Sequence, residues 1–148
     1  MKTNEMKLVI DAKSNNEAFA RAVIGAFCAQ LDPNVEEISD IKTAVSEAVT
    51  NAIVHAYENV PGKIYITAYT TDNNELYVKI KDKGIGIENV ERAMQPLFTT
   101  GDDNRSGLGF SVMECFSDKL KVTSKEGRGT SVTIVKKVSG KYGNKAEH

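Results

Sequence analysis

Apolar residues recur at helical spacing between residues 41 and 56. They follow an i, i+3, i+4, i+7 pattern, which is the strongest periodic signal in the chain. This predicts an amphipathic helix that begins with Ser39 as its N-cap and ends before Asn59, Pro61 and Gly62. The positions expected to face the core are Ile41, Ala44, Val45, Ala48, Val49, Ala52, Ile53 and Ala56.

The other segments predict a chain in which helices and strands are mixed. Asn15 or Asn16 can cap a first helix that runs to about Leu31. Strand pairs flank two turn sequences, which indicates hairpins. We therefore expect an α+β two-layer sandwich, with a mixed, mainly antiparallel sheet and helices on one face. The remaining expected elements are strands at 6–10, 64–68, 76–80, 120–124 and 130–135 and helices at 89–94 and 107–116.

Length, charge and cysteine content restrict the function classes. A chain of 148 residues predicts one domain, here residues 1–138, followed by a polar and disordered tail at 139–148. The net charge of −1 gives no basic character, so we expect no direct nucleic-acid binding. Cys28 and Cys115 are expected to be reduced and buried, and too few ligands are available for zinc. Without a membrane span or signal peptide, the expected location is the cytoplasm, with no membrane contact.

Glu47 and Asn51 form the first candidate for chemistry. They lie four residues apart, so on a helix they stack on its polar side about 6 Å from each other. An amide oxygen is a suitable Mg²⁺ ligand, and a carboxylate can accept a proton from a hydroxyl nucleophile. By itself, the pair is more often simply a solvated helix face.

The second candidate is the segment 82–87, which follows an expected strand. Asp82 can accept a hydrogen bond from an exocyclic amine such as adenine N6. Gly84 and Gly86 allow the backbone to approach a flat ring without a Cβ clash. A plain tight turn explains the same residues about equally well.

Two more glycine-containing segments complete the set. Gly107 and Gly109 are expected to open a helix, where free N–H groups and the helix dipole favour phosphate, with Arg105 just before them. A flexible linker also fits this segment. Thr130, after the expected turn at 127–129, can bond a base edge as well as enter a strand.

Together and in this order, the four segments resemble the ATP-binding motifs of the GHKL superfamily, whose fold is of the Bergerat type. Within it, the segments SEAVTNAIVHAYE, IKDKGIGI and RSGLGFSVME resemble the anti-sigma serine kinases of spore-forming bacilli. The resemblance extends over the whole length of the chain. It implies ATP and ADP as ligands, with Mg²⁺.

The resemblance also implies roles for individual residues. Glu47 would be the catalytic base, Arg105 would stabilise the γ-phosphate, and Asn51 would bind Mg²⁺. Arg21 on the first helix would contact protein partners. The nucleotide-binding residues would be Asn51, Asp82, Gly84, Gly86, Thr99, Thr100, Gly101, Ser106, Gly107, Leu108, Gly109 and Thr130, with 99–106 forming a lid over ATP.

The partners implied are a sigma factor of RNA polymerase, an anti-anti-sigma protein as serine substrate, and a second copy of the chain. The ATP-binding half of a two-component histidine kinase is an alternative. It would need an upstream helical hairpin with an acceptor histidine, whereas this chain has only His55 and His148. A nucleotide-gated binding module without kinase activity is the third possibility, although the presence of Glu47 argues against it.

Overall fold

A computed structural model describes residues 1–58, 60–94 and 104–140, with side chains omitted for 104–108. The strands are β1 (Lys2–Asp11), β2 (Lys63–Thr71), β3 (Glu75–Asp82), β4 (Lys119–Lys125) and β5 (Gly129–Lys137). The helices are α1 (Asn15–Cys28), α2 (Val35–Asn51), α3 (Val90–Met94) and α4 (Asn104–Cys115).

The strands form one sheet in the order β1-β2-β3-β5-β4, in which every pairing is antiparallel. One apolar row crosses all strands through Leu8, Ile66, Ile80, Val132 and Val122. Because side chains alternate between the two faces of a strand, this row defines the face that the helices cover. The predicted α+β sandwich is confirmed. We expected a mixed, mainly antiparallel sheet, and all four strand pairings among the described residues are antiparallel.

The amphipathic stripe of α2 lies in the core as predicted. All eight predicted positions are buried, from Ile41 at 0% exposure to Ala56 at 8%. The helix packs between α1 and α4. Asn51, its last residue, lines the cavity described below.

The predicted start of α2 is wrong. The helix begins at Val35, one turn before the expected cap Ser39, which lies inside it. The N-cap is Asn34, whose side chain accepts from the Glu37 N–H at 2.7 Å, while the Glu37 carboxylate accepts from the Asn34 N–H at 2.9 Å. This reciprocal capping box satisfies two backbone donors that a start at Ser39 would leave exposed.

The start of α1 also differs from the expectation. Ser14 occupies the N-cap position without a side-chain bond, and neither Asn15 nor Asn16 caps the helix. The Asn16 amide instead donates to the Asp11 carbonyl at 2.9 Å, which ties α1 back to the end of β1. The predicted end near Leu31 is reached through a short 3-10 turn after Cys28.

The C-terminal end of α2 widens into a π-helical turn at Ala52–Ala56. Such turns are rare and frequently occur at functional sites, because they rotate side chains away from the regular helical positions. This turn carries His55 and ends at Tyr57, whose hydroxyl accepts from the Lys83 N–H at 2.7 Å. The end of the helix is thereby fastened to the segment after β3.

One of the two cysteines is buried as predicted, and the first two residues of the predicted tail are packed against the domain. Cys28 is buried, which raises the pKa of its thiol to about 11, whereas Cys115 is exposed and that prediction is wrong. Cys115 is the last residue of α4. Ser139, assigned to the tail, donates from its backbone and hydroxyl to Glu37 at 2.8 and 3.0 Å, and Gly140 is buried. Residues 141–148 lie outside the described residues.

Candidate functional site

A cavity of about 320 Å³ opens between the end of α2, the segment after β3, and α4. This is the size of a site for a small organic ligand. Four of the residues predicted from the sequence line it: Asn51, Asp82, Gly86 and Thr130. Most of the remaining wall is apolar and includes Ile80, Ile85, Ile87, Phe110 and Val132.

Asp82 is the buried charge of this cavity, only 6% exposed at the end of β3. Its Oδ1 accepts from the Gly84 N–H at 2.9 Å and from the Thr130 N–H at 3.1 Å. Burial raises the pKa of the Asp82 carboxyl above its usual value, and the two backbone hydrogen bonds oppose that shift. Because both bonds go to one oxygen, the carboxylate is held in a fixed orientation and Oδ2 is left for a ligand.

The segment after β3 needs glycine at both predicted positions. A Cβ on Gly84 would lie 2.3 Å from the Ala56 carbonyl oxygen, and the neighbouring Ile85 N–H donates to that same oxygen at 2.9 Å. Gly86 has φ +78°, and its Cβ would lie 2.2 Å from the Lys125 carbonyl oxygen. The glycines therefore allow this segment to fit between the end of α2 and the β4–β5 hairpin.

Ser124 connects the elements around Thr130 and was not predicted. Its hydroxyl accepts from the Ile87 N–H at 2.7 Å, donates to the Gly129 carbonyl at 2.9 Å and lies 2.8 Å from the Thr130 hydroxyl. Ser124 thus fixes the loop that carries Gly86 against the start of β5. Only the hairpin register brings it there, so no sequence motif marked it.

Asn51 ends α2 and faces the cavity. Its Nδ2 is buried without a hydrogen-bond partner among the described residues. A Cβ placed on Gly109 of α4 would come within 3.0 Å of Asn51 Oδ1, so the glycine leaves room for this amide. A buried amide donor that lacks a partner costs free energy, about 1–3 kcal/mol. A ligand that paired with the amide would recover that cost.

Glu47 does not line this cavity, although it lies one helical turn before Asn51. It lines a separate cleft between α1 and α2 together with Arg21 and Lys42. Partial burial raises the pKa of the Glu47 carboxyl, and the negative charge of Glu17 on α1 raises it further. Arg21, the predicted partner contact, forms an ion pair with Glu17 at 3.2 Å. The structure therefore groups the predicted base with the predicted partner residue.

Comparisons with known proteins decide the family. Residues 10–136 match the family of histidine kinase-like ATPase domains. The chain is 57% identical to the anti-sigma F factor of Caldanaerobacter subterraneus subsp. tengcongensis, over 90% of this chain and 93% of that protein. It is 53% identical to the anti-sigma F factor of Clostridium acetobutylicum, over 93% of this chain and 96% of that one.

The chain belongs to the anti-sigma F factor family. The GHKL superfamily and the anti-sigma role predicted from the sequence are both confirmed by this membership. The fold agrees with a solved structure, that of the RsbU and RsbW domains of a Mycobacterium tuberculosis protein. It has a TM-score of 0.68 at 21% identity and covers 92% of this chain and 33% of that one. At this identity the likeness concerns the fold alone.

The predicted phosphate-binding segment of this family member is only partly described. Thr99, Thr100 and Gly101 lie outside the described residues, as do the side chains of Arg105, Ser106 and Leu108. The prediction that Gly107 and Gly109 open a helix is wrong, since α4 begins at Asn104 and contains both. Gly109 instead packs against Asn51, which explains a glycine within the helix.

His55 lies at the cavity wall, beside Ala56 on the π-helical turn. It lies four residues after Asn51, which lines the same cavity. The apolar wall residues were harder to foresee, because Ile85, Ile87 and Phe110 look like ordinary core positions in sequence. Across the described ranges, no helix is long and apolar enough to cross a membrane.

Proposed function

We propose that this anti-sigma F factor family member is a Mg-ATP-dependent protein serine kinase that also binds and inhibits a sporulation sigma factor. The observation that carries the proposal is Asp82, a buried carboxylate fixed through one oxygen in the wall of an apolar cavity. That arrangement suits a flat ring with an exocyclic amine, since the apolar wall takes the ring and Oδ2 accepts from the amine. Adenine has this chemistry, and the histidine kinase-like ATPase family binds ATP and ADP.

The residues at the other end of the cavity fit a Mg-triphosphate. The Asn51 amide is buried and its Nδ2 is unpaired, so it is available to a ligand. Its Oδ1 would bind Mg²⁺, which prefers oxygen ligands and is usually held by few protein groups together with phosphate oxygens. We propose that the phosphates are surrounded by Arg105 together with Thr99, Thr100, Gly101, Ser106, Gly107 and Leu108. Bound ATP supplies the phosphoryl group.

Glu47 is proposed to take the proton from the attacking serine hydroxyl. Its raised pKa makes it a stronger base than an ordinary glutamate. Phosphoryl transfer depends mainly on positioning and charge stabilisation, so one base, one metal ligand and Arg105 suffice. The cleft that holds Glu47 also holds Arg21, so a substrate protein docked on α1 brings its serine near the base.

The proposed partners are a sigma factor of RNA polymerase and an anti-anti-sigma protein that is the serine substrate. The active form is proposed to be a cytoplasmic homodimer formed through β1 and α1. Neither nucleic acid nor a membrane is proposed as a direct partner. Arg21 is exposed in the same cleft as Glu47. The sigma factor and the substrate protein would therefore compete for this surface of α1 and α2.

One transfer assay tests the proposal. The full chain is incubated with labelled ATP, Mg²⁺ and an anti-anti-sigma protein, and the label is expected on a serine of that protein. Glu47→Gln should keep ADP affinity but slow transfer by about 10²–10⁴-fold. Glu36→Gln, an exposed glutamate in the first turn of the same helix, is the matched control and should behave as wild type.

Three results would contradict it. Label on a histidine of the chain itself would indicate a histidine kinase. ATP binding without transfer would indicate a nucleotide-gated binding module. Transfer at the normal rate by Glu47→Gln would remove Glu47 from the role of base.

A further inference from the structure

The face of the sheet opposite the helices carries a second candidate surface. Side chains that alternate with the buried row point to this open face. On β3 and β4 these outward positions include Lys79, Lys81, Lys121 and Lys125, all exposed, and Arg128 lies in the adjoining hairpin turn. We call these five residues, with the β5 residues between them, the cationic groove.

Strand register brings the charges together. Lys79 on β3 and Lys121 on β4 both pair with Thr133 on β5, so they flank it from either side. Neighbouring strands are about 4.8 Å apart, which places their backbones roughly 10 Å from each other. In the row before it, Lys81 pairs with Ser131. Such like charges repel, so the free protein bears an electrostatic cost that an anion would relieve.

The cations of the groove differ from those at the β1 edge. At that edge Lys2 is paired with Glu5 and Lys63 with Asp11. Among the described residues, none of the five groove cations forms an ion pair. The groove is thus a concentration of unneutralised positive charge on a chain whose net charge is −1.

The groove has depth and an unpaired polar group at its floor. A pocket of about 370 Å³ lies within it, lined by four of the five cations, Lys121 excepted, and also by the buried Asp82. Ser131 lines it, and the Ser131 Oγ is buried without a hydrogen-bond partner in the described part of the chain. A buried hydroxyl without a partner is unfavourable, so an acceptor such as a carboxylate oxygen that reached it would gain a hydrogen bond.

The tyrosines of the same face disfavour nucleic acid as the occupant. Sheet surfaces that bind single strands present free aromatic rings on which bases stack. Here Tyr69 and Tyr77 stack on each other with centroids 4.6 Å apart and planes at 9°. Lys2 covers Tyr69 and the Lys83 ammonium lies 4.8 Å from the Tyr65 ring centroid. Each of these rings already has another ring or an ammonium group on at least one face, so the surface offers charge more than stacking.

We propose that the cationic groove docks an acidic segment of a protein partner. The proposal deepens the proposed function and rests on it in one respect, namely that the protein acts by binding other proteins. The groove lies on the sheet side, whereas the Arg21–Glu47 cleft lies on the helical side. One partner can therefore occupy the groove while another occupies the cleft, and the groove adds electrostatic attraction and specificity.

The test measures binding of a fluorescent poly-L-glutamate peptide to the full chain by anisotropy, at low and high salt. The double variant Lys79→Glu/Lys121→Glu should bind about tenfold or more weakly than wild type at low salt, and high salt should reduce the difference. The matched control is Lys13→Glu/Lys137→Glu, which reverses two exposed lysines outside the groove. It should change affinity by less than about twofold. Both variants should keep wild-type ADP affinity and thermal stability.

Several results would overturn the proposal. An equal loss in the control would show that net charge alone attracts the peptide. Absence of binding by wild type would remove the groove as a docking site. Tighter binding of an oligo-dT strand, lost in the double variant, would make it a nucleic-acid surface. Self-association that the double variant abolishes would make it a contact between copies. The titration needs neither ATP nor a kinase substrate, so failure of the proposed kinase activity would be seen separately.

Discussion

The two ends of the cavity differ in how their polar groups are satisfied. At the Asp82 end, Gly84 and Thr130 donate to the carboxylate and Ser124 links the surrounding loops. At the α2 end, the Asn51 amide is buried with Nδ2 unpaired. Internal hydrogen bonds therefore fix the Asp82 end in the free protein. At the Asn51 end, a ligand would supply the missing partner of the buried amide. The proposed recognition of a base and the proposed binding of Mg-phosphate therefore place opposite demands on the stability of the free protein.

The largest expected effect is at the Asp82 end of the cavity. Asp82→Ala removes the proposed contact to the base and leaves the Gly84 and Thr130 N–H groups without their acceptor. The affinity for ADP should therefore fall about 100-fold and the free energy of unfolding by about 2–4 kcal/mol. Asp82→Asn keeps an oxygen for the Gly84 and Thr130 donors, so it should lose affinity with much less loss of stability. Calorimetric titration and urea unfolding measure the two quantities. Equal stability of both variants would show that the internal bonds do not organise this end.

The next largest effect concerns the close contact of Gly86 with the β4–β5 hairpin, measured as a loss of stability. Gly86→Ala puts a methyl group 2.2 Å from the Lys125 carbonyl oxygen at φ +78°, and we expect about 2–4 kcal/mol of destabilisation. Gly127→Ala is the matched control, because it has φ +80° but no atom within 4 Å. Backbone strain alone should cost about 1 kcal/mol there. Equal melting temperatures for the two variants would contradict the tight contact.

A substitution at the Asn51 end of the cavity should change the stability of the free protein in the opposite direction. Asn51→Ala removes a buried unpaired donor, so the free protein should be as stable as wild type or more stable by up to about 1 kcal/mol. The Mg²⁺-dependent gain in ATP affinity should nevertheless disappear, about tenfold. Thermal unfolding without nucleotide and ATP titration with and without Mg²⁺ check this. A clear loss of stability in the free protein would mean that the amide already has a structural role.

The smallest effect concerns pH. A general base works only when deprotonated, so transfer should fall as pH drops through the Glu47 pKa, which is raised above the usual glutamate value. Glu17→Gln removes a like charge and should move this acid limb to lower pH. Arg21 and Lys42 line the same cleft, and Glu17→Gln also removes the ion pair of Glu17 with Arg21. An acid limb that stays in place would exclude Glu17 as a contributor.

Much of the fold could be predicted because it depends on local patterns. The stripe from Ile41 to Ala56 and the two hairpins follow from periodicity and turn residues, and the structure contains them. The capping positions were wrong at Ser39, Asn15 and Asn16. Several nearby polar residues can cap a helix in sequence, and only the reciprocal bonds of Asn34 and Glu37 select one.

The candidate site was also predictable only in its local features. Sequence alone determined the chemistry available: a carboxylate after a strand at Asp82, glycines beside it, and an acid and an amide one turn apart on α2. Tertiary structure decided the grouping, because the turn at Ala52–Ala56 and the strand register set which polar side shares a cavity. They put Asn51 with Asp82, placed Glu47 in the cleft with Arg21, and brought four lysines of β3 and β4 to one face of the sheet. Side-chain identity is local, but neighbours come from packing of segments far apart in the chain.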